Sequence, residues 1–179
     1  MKRLILGLAL ALAGLGAAPS LAAAPPPHGG TTTLHPGVVG DYDPSLHIFA
    51  DAARDALTGK GFTILEDPAH TAYVVDLTLS RADIGTGMGK GPRDPAEVMG
   101  TGVVVPLSTG NSAIVALRRT RVEMRIRNRA DNSVVWSGSA VTVRSTGARN
   151  GTDEAVAADL SRALLQIYPN QPEDTIGVP

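Results

Sequence analysis

Residues 121–127 read Arg-Val-Glu-Met-Arg-Ile-Arg. Val122, Met124 and Ile126 alternate with Arg121, Glu123, Arg125 and Arg127, the period of two that marks a strand with one face on a core and one in water. A strand solvated on one side belongs to an antiparallel sheet. The polar turn Ala130-Asp131-Asn132-Ser133 follows, then the β-branched run Val134–Val143, so the two strands are predicted to form a hairpin, with Gly138 as a bulge. Trp136 on the second strand is read as a core anchor.

Working outward, Tyr73, Val75, Leu77 and Leu79 alternate with Val74, Asp76, Thr78 and Ser80, which gives a further strand to about Arg81. Phe62–Glu66 has a β-rich core and ends at Asp67-Pro68, a short strand closed by a turn. Two amphipathic helices flank these strands. In the first, Asp43 and Pro44 supply a cap and a first position, Leu46, Phe49, Ala50, Ala53 and Leu57 form the apolar stripe, and Gly59 and Gly61 end it. In the second, Thr152 caps, Asp153 and Glu154 suit the positive end of the helix dipole, Val156, Leu160, Ala163, Leu164 and Ile167 form the stripe, and Pro169 stops it.

These elements predict an α+β fold: an antiparallel sheet of about four or more strands with both helices on one face, in the order α-β-β-insertion-β-β-α. The insertion, 84–112, is rich in Gly and Pro and is expected to form a long loop or irregular hairpin. Residues 23–42, rich in Pro, Gly and Thr, are expected to be a flexible lead-in, 43–169 a single domain, and 170–179 a mobile tail.

The first 22 residues have the three parts of a secretory leader: Lys2 and Arg3 at the tip, about a dozen apolar residues from Leu4 to Leu15, and small residues before a cut after Ala22. The apolar stretch is too short to span a bilayer, so export and not anchorage is expected, with a periplasmic destination. Two of the sixteen basic residues and none of the seventeen acidic ones lie in this leader, which leaves a net charge of −3 behind it. That balance disfavours a nucleic-acid partner. The chain has no cysteine, so it holds no disulfide, no thiol nucleophile, no cysteine-ligated metal and no lipid-modified amino-terminal cysteine.

The helix closing at Gly59-Lys60-Gly61-Phe62, the strand Tyr73–Leu79, the glycine-rich insertion, the hairpin with Val135-Trp136-Ser137-Gly138 and the last helix ending Ile167-Tyr168-Pro169 follow one another in an order that resembles the domain-of-unknown-function 4136 family. The resemblance covers roughly Ser45 to Pro169. It implies a small exported protein of the bacterial envelope, and it implies no activity and no catalytic residues. Many members resemble lipoproteins with a leader cysteine, a pattern this chain lacks.

Candidate sites follow from the residues themselves. Gly85-Thr86-Gly87-Met88-Gly89-Lys90-Gly91 has the glycines of a phosphate loop, but Ile84 and Gly91 stand where it needs Gly and Ser or Thr, and Pro92 and Pro95 oppose the helix it must open. His28, His35, His47 and His70 show no ligand spacing, so neither a metal nor a cofactor is expected. Arg119, Arg121, Arg125, Arg127 and Arg129 share one strand face by parity and can hold an anionic lipid, polysaccharide or acidic partner by paired contacts to phosphate or carboxylate. The competing reading pairs them with acids on neighbouring strands such as Asp76. Three functions are therefore carried forward: a non-catalytic binding or assembly module of the envelope, an envelope hydrolase with an acidic site near Asp76 and Asp83, and anionic binding through the Arg119–Arg129 face. The hydrolase requires a concave pocket in which Asp76 and Asp83 converge with a partner.

Overall fold

The computed structural model describes residues 25–90 and 112–179; the leader and most of the insertion lie outside them. Six strands, β1 (Gly30–Val38), β2 (Phe62–Ile64), β3 (Tyr73–Lys90), β4 (Ser112–Asn128), β5 (Val134–Ser145) and β6 (Ile176–Gly177), form one sheet in the order β2-β1-β3-β4-β5-β6. The helices α1 (Leu46–Thr58) and α2 (Asp153–Gln166) pack side by side on one face. The expected α+β class is observed, with the antiparallel triplet β3-β4-β5 at its centre and parallel pairs on both flanks.

The alternation in 121–127 does what its period demands: Val122, Met124 and Ile126 are fully buried under the helices. They meet Val75, Leu77 and Leu79 of β3, Phe49 and Leu57 of α1, and Leu160 and Leu164 of α2 in one core. Trp136 is fully buried, with its Nε1 donating to the Asn170 carbonyl at 3.0 Å. Its ring meets Tyr168 edge-on at 5.4 Å, and Tyr168 meets Phe62 at 5.8 Å, so aromatic edges tie β5, β2 and the end of α2 together. Burial pushes the Tyr168 phenol up to about 12.

Three sequence expectations are corrected. Gly138 is not a bulge: the register shifts fall between Ile126 and Arg127 and between Asp83 and Gly85. Gly138 instead makes room for the indole, since a Cβ there would lie 2.8 Å from Trp136 Cη2 and 3.2 Å from Leu164 Cδ2.

The second correction concerns the lead-in, which from Gly30 to Val38 is an interior strand running parallel to both β2 and β3. Thr32 and Thr33 are buried on opposite faces, and Thr32 Oγ1 donates to the Tyr73 carbonyl at 3.2 Å. Their β-branched shape suits a strand, while their hydroxyls hide the apolar period. Pro36 is tolerated because β2 flanks β1 only to Thr32, beyond which that side of β1 has no neighbouring strand among the described residues.

The third correction is the tail. Ile176–Gly177 pairs with Ala140–Val141, Val178 N donates to the Val141 carbonyl at 2.9 Å, and Thr142 Oγ1 donates to the Val178 carbonyl at 2.7 Å. Ile176 and Val178 pack against the core, which fixes a segment that its prolines and acids made look unattached.

Candidate functional site: the open face of the sheet

Because both helices sit on one face, no helix covers the other face of β3, β4 and β5 among the described residues. Lateral pairing sets its rows: Asp76, Arg125 and Ser137; Thr78, Glu123 and Ser139; Ser80, Arg121 and Val141; Ala82, Arg119 and Val143. The result is a flat field of guanidinium and hydroxyl groups. The C-terminal segment bounds it on one side, leaving a cleft of about 360 Å³ between Arg121, Glu123 and Arg125 on the floor and Gln171–Thr175 on the wall.

The arginines on this face fall into two kinds. Arg127 is absorbed: its Nε and Nη2 donate to the two oxygens of Asp76 at 2.5 and 2.9 Å, and its Nη1 donates to Asn132 Oδ1 at 2.8 Å. The hydrogen bond to Asp76 holds the Arg127 guanidinium above its ordinary value. Arg129 Nε likewise donates to the Thr71 carbonyl at 2.6 Å. Arg121 pairs with Glu123 at 2.8 Å, and Arg125 reaches the other oxygen of the same carboxylate only at 3.8 Å. Arg119 is exposed and has no acid partner among the described residues. Glu123 thus serves two guanidiniums, those of Arg121 and Arg125, while Glu173 and Asp174 stand on the cleft wall; Arg119, Arg121 and Arg125 are spaced by two and four residues, or about 7 and about 14 Å along the strand. Such a row can grip carboxylates or phosphates that repeat along a partner.

The pairing with Asp76 expected of a solvated strand is present at Arg127, while Arg119 and Arg125 remain available. Asp76 and Asp83 do not converge. They lie seven residues apart on β3, about 23 Å along the strand, and parity turns them to opposite faces. Asp76 meets Arg127 and, at 3.8 Å, His35 Nδ1. Asp83 accepts from Arg118 Nε at 2.8 Å on the helix side, and that hydrogen bond holds its carboxyl below the usual value.

Sequence reasoning missed the contribution of Gln171–Thr175. Gln171 copies a backbone ladder with its side chain, donating from Nε2 to the Ser137 carbonyl at 2.5 Å and accepting from Ser137 N at 3.3 Å, and Ser139 and Thr175 hydroxyls meet at 2.8 Å. The available signal was the apolar alternation of Ile176 and Val178 after the acids.

On the helix side a second polar cluster sits where both helices begin. Arg81 of β3 donates Nη1 to Ser45 Oγ at 2.6 Å and pairs with Asp43 at 3.3 Å and, through Nη2, with Asp153. Its guanidinium also lies 5.5 Å from the centre of the Phe49 ring. Burial pushes the Asp43 carboxyl up, but hydrogen bonds from Ser45 and the charge of Arg81 outweigh it and hold the group below its ordinary value. Among the described residues no three His, Asp or Glu side chains converge as metal ligands.

No family model matches the chain, and no curated protein matches it. Among solved structures it is similar to the PelC dodecamer from Paraburkholderia phytofirmans, at 15% identity and a TM-score of 0.44 over 83% of this chain and 92% of that one. It is also similar to a PDZ domain protein from Parabacteroides distasonis, at 12% identity and a TM-score of 0.42 over 79% of this chain and 32% of that one.

Proposed function

We propose that this chain is a non-catalytic binding module of the bacterial cell envelope, exported to the periplasm behind the 1–22 leader, that holds an acidic partner on its open sheet face through Arg119, Arg121 and Arg125. The observation that carries this reading is the asymmetry of the sheet: both helices cover one face, and the other carries Arg121 and Arg125, which share Glu123, beside Arg119, which has no acid partner among the described residues. Export rests on the leader sequence, and the absence of any cysteine leaves no site for an amino-terminal lipid. Among the described residues no helix is long and apolar enough to cross a membrane. The resemblance to the domain-of-unknown-function 4136 family supports the same compartment, and we extend that membership to this chain as part of the proposal. The acidic hydrolase receives no support, since Asp76 and Asp83 face opposite sides of the sheet.

The test is crosslinking of the protein in its own envelope, followed by binding of the captured partner to isolated protein at several salt concentrations. An acidic partner whose affinity falls with salt, and falls about tenfold or more in the Arg119→Ser/Arg125→Ser double variant, is expected. Binding that ignores both changes would overturn the reading. Phosphate-rich vesicles or polysaccharide in place of a protein would identify a polymer or lipid as the acidic partner.

A further inference from the structure

Beyond the helices, β3 and β4 continue together as a two-stranded ribbon. Gly85–Lys90 pairs with Ser112–Leu117 in unbroken register. On the β3 side, β1 departs at Leu79, whose carbonyl accepts the last bond from Val39 N. On the β4 side, β5 ends opposite Leu117, and Thr146 N donates the last bond to the Ala116 carbonyl. Among the described residues neither edge of the ribbon has a strand neighbour past these points.

An isolated two-stranded ribbon is marginal in water, and a bare edge is a template for another strand unless charge, proline or a covering element blocks it. Short of Lys90 at its tip, nothing in the sequence of the ribbon blocks it. Ile84–Gly89 and Ser112–Leu117 contain no charged residue and no proline. Among the described residues the exposed apolar side chains gather at the same end: Ile114 is 79% exposed and Tyr42 83%, and Val39, Ile84 and Val143 join them, whereas of these large exposed hydrophobics only Val134 lies elsewhere. Val39, Tyr42, Asp83 and Arg118 line one cleft at the root of the ribbon, which links these side chains to it. Concentrated apolar exposure beside an open edge marks a protein interface.

Two edges of one ribbon that lack a strand neighbour among the described residues point to the occupant. A foreign strand would satisfy one edge and leave the other bare, whereas in copies of this chain the β4 edge of one can add to the β3 edge of the next, so that each junction uses both kinds of edge. We propose that the protein self-associates head to tail through this ribbon, the β4 edge around Ser112–Val115 of one copy pairing with the β3 edge around Ile84–Gly89 of its neighbour. The contact is heterologous, so repeated copies close into a ring or extend as a filament. This surface is separate from the arginine row and does not depend on what that row binds.

The test uses the chain as isolated from cells. Sedimentation should show species larger than a monomer, and Ile114→Lys and Thr86→Lys, each placing a charge on one edge, should weaken association about tenfold or more. Val134→Lys, at the opposite end, should leave it unchanged. Thermal unfolding of the two ribbon variants, dilute enough for all to be monomeric, should match the native chain, because both positions are exposed. With no native cysteine, Thr86→Cys and Ile114→Cys chains can be mixed and oxidised; the mixed dimer should exceed either homodimer. A monomeric native chain, association that survives both lysine variants, or a dominant Ile114→Cys homodimer would each overturn the proposal.

Discussion

Arg81 on β3 and Asp153 in the first turn of α2 form an ion pair in which the arginine side chain is 13% exposed and the aspartate 31%. The same guanidinium holds Asp43, which precedes α1, so one side chain from the sheet ties down the start of both helices. Each helix N-terminus favours a nearby carboxylate, and Arg81 in turn neutralises the two carboxylates gathered there. Replacing Arg81 by Met deprives Asp43 and Asp153 of the guanidinium they share and leaves them the more distant charge of Arg118. We expect a loss of about 2 kcal/mol, below the full cost of breaking a buried pair because Asp153 keeps partial access to water. A shift of the urea midpoint with unchanged slope would measure it, and Arg81→Lys should recover only part, since an ammonium cannot copy the forked contacts. An unchanged midpoint in Arg81→Met would show that the clasp contributes nothing.

Acid should act through the same cluster. Asp43 has a folded-state value below the ~3.9 of a free aspartate. A depressed carboxyl contributes stability that is complete above the unfolded value and is lost as pH falls through the folded one. The native protein is therefore expected to keep this contribution down to about pH 4 and to lose it below. Asp43→Asn should be less stable at neutral pH and lose less on further acidification. Parallel stability curves for the two proteins from pH 7 to pH 2 would exclude this role.

How much of this was legible in the sequence depends on which residues carried the signal. The strands 73–81, 121–127 and 134–143 and both helices were readable because Leu77, Met124, Leu160 and their neighbours fall at regular periods, and burial follows the period. Strand β1 was hidden because two of its three buried positions are held by Thr32 and Thr33, and the Thr32 hydroxyl finds backbone acceptors within the fold. The extension of β3 through Gly85 and Gly87 was hidden for the opposite reason: glycine carries no period. At the candidate site, parity alone placed Arg119, Arg121, Arg125 and Arg127 on one face. Which of them are free could not be read, since that depends on Asp76 being a lateral neighbour of Arg125 and a diagonal one of Arg127.

Gly138 gives a packing test that the sequence expectation of a bulge would not predict. A methyl group there would press on Trp136 and Leu164, both fully buried, at distances where something must shift. Gly138→Ala should therefore destabilise by about 1–3 kcal/mol, the usual cost of overfilling a packed core. The double variant Gly138→Ala/Trp136→Phe, which removes the clashing ring atoms, should cost less than the sum of the two single changes. Additive losses in thermal or urea unfolding would show that the glycine serves something other than the indole.

The C-terminal segment gives the last test, because it separates an attached strand from a loose tail. Gln171 imitates a backbone pair with Ser137, Ile176 packs on the core, and Arg144, buried, donates to the Pro179 backbone oxygen at 2.5 Å and pairs with Asp159 at 2.8 Å. A segment so held should resist protease as long as the whole fold does, and amides such as Val178, bonded to the Val141 carbonyl, should exchange slowly. Ile176→Asp places a charge against the core without touching the Gln171 or Arg144 contacts. It should release the segment, expose the β5 edge at Ala140 and Val141, and make cleavage within 170–179 at least about tenfold faster while the rest of the domain remains intact. Rapid cleavage of the native segment at the variant's rate would return it to the mobile tail that its prolines and acids imply.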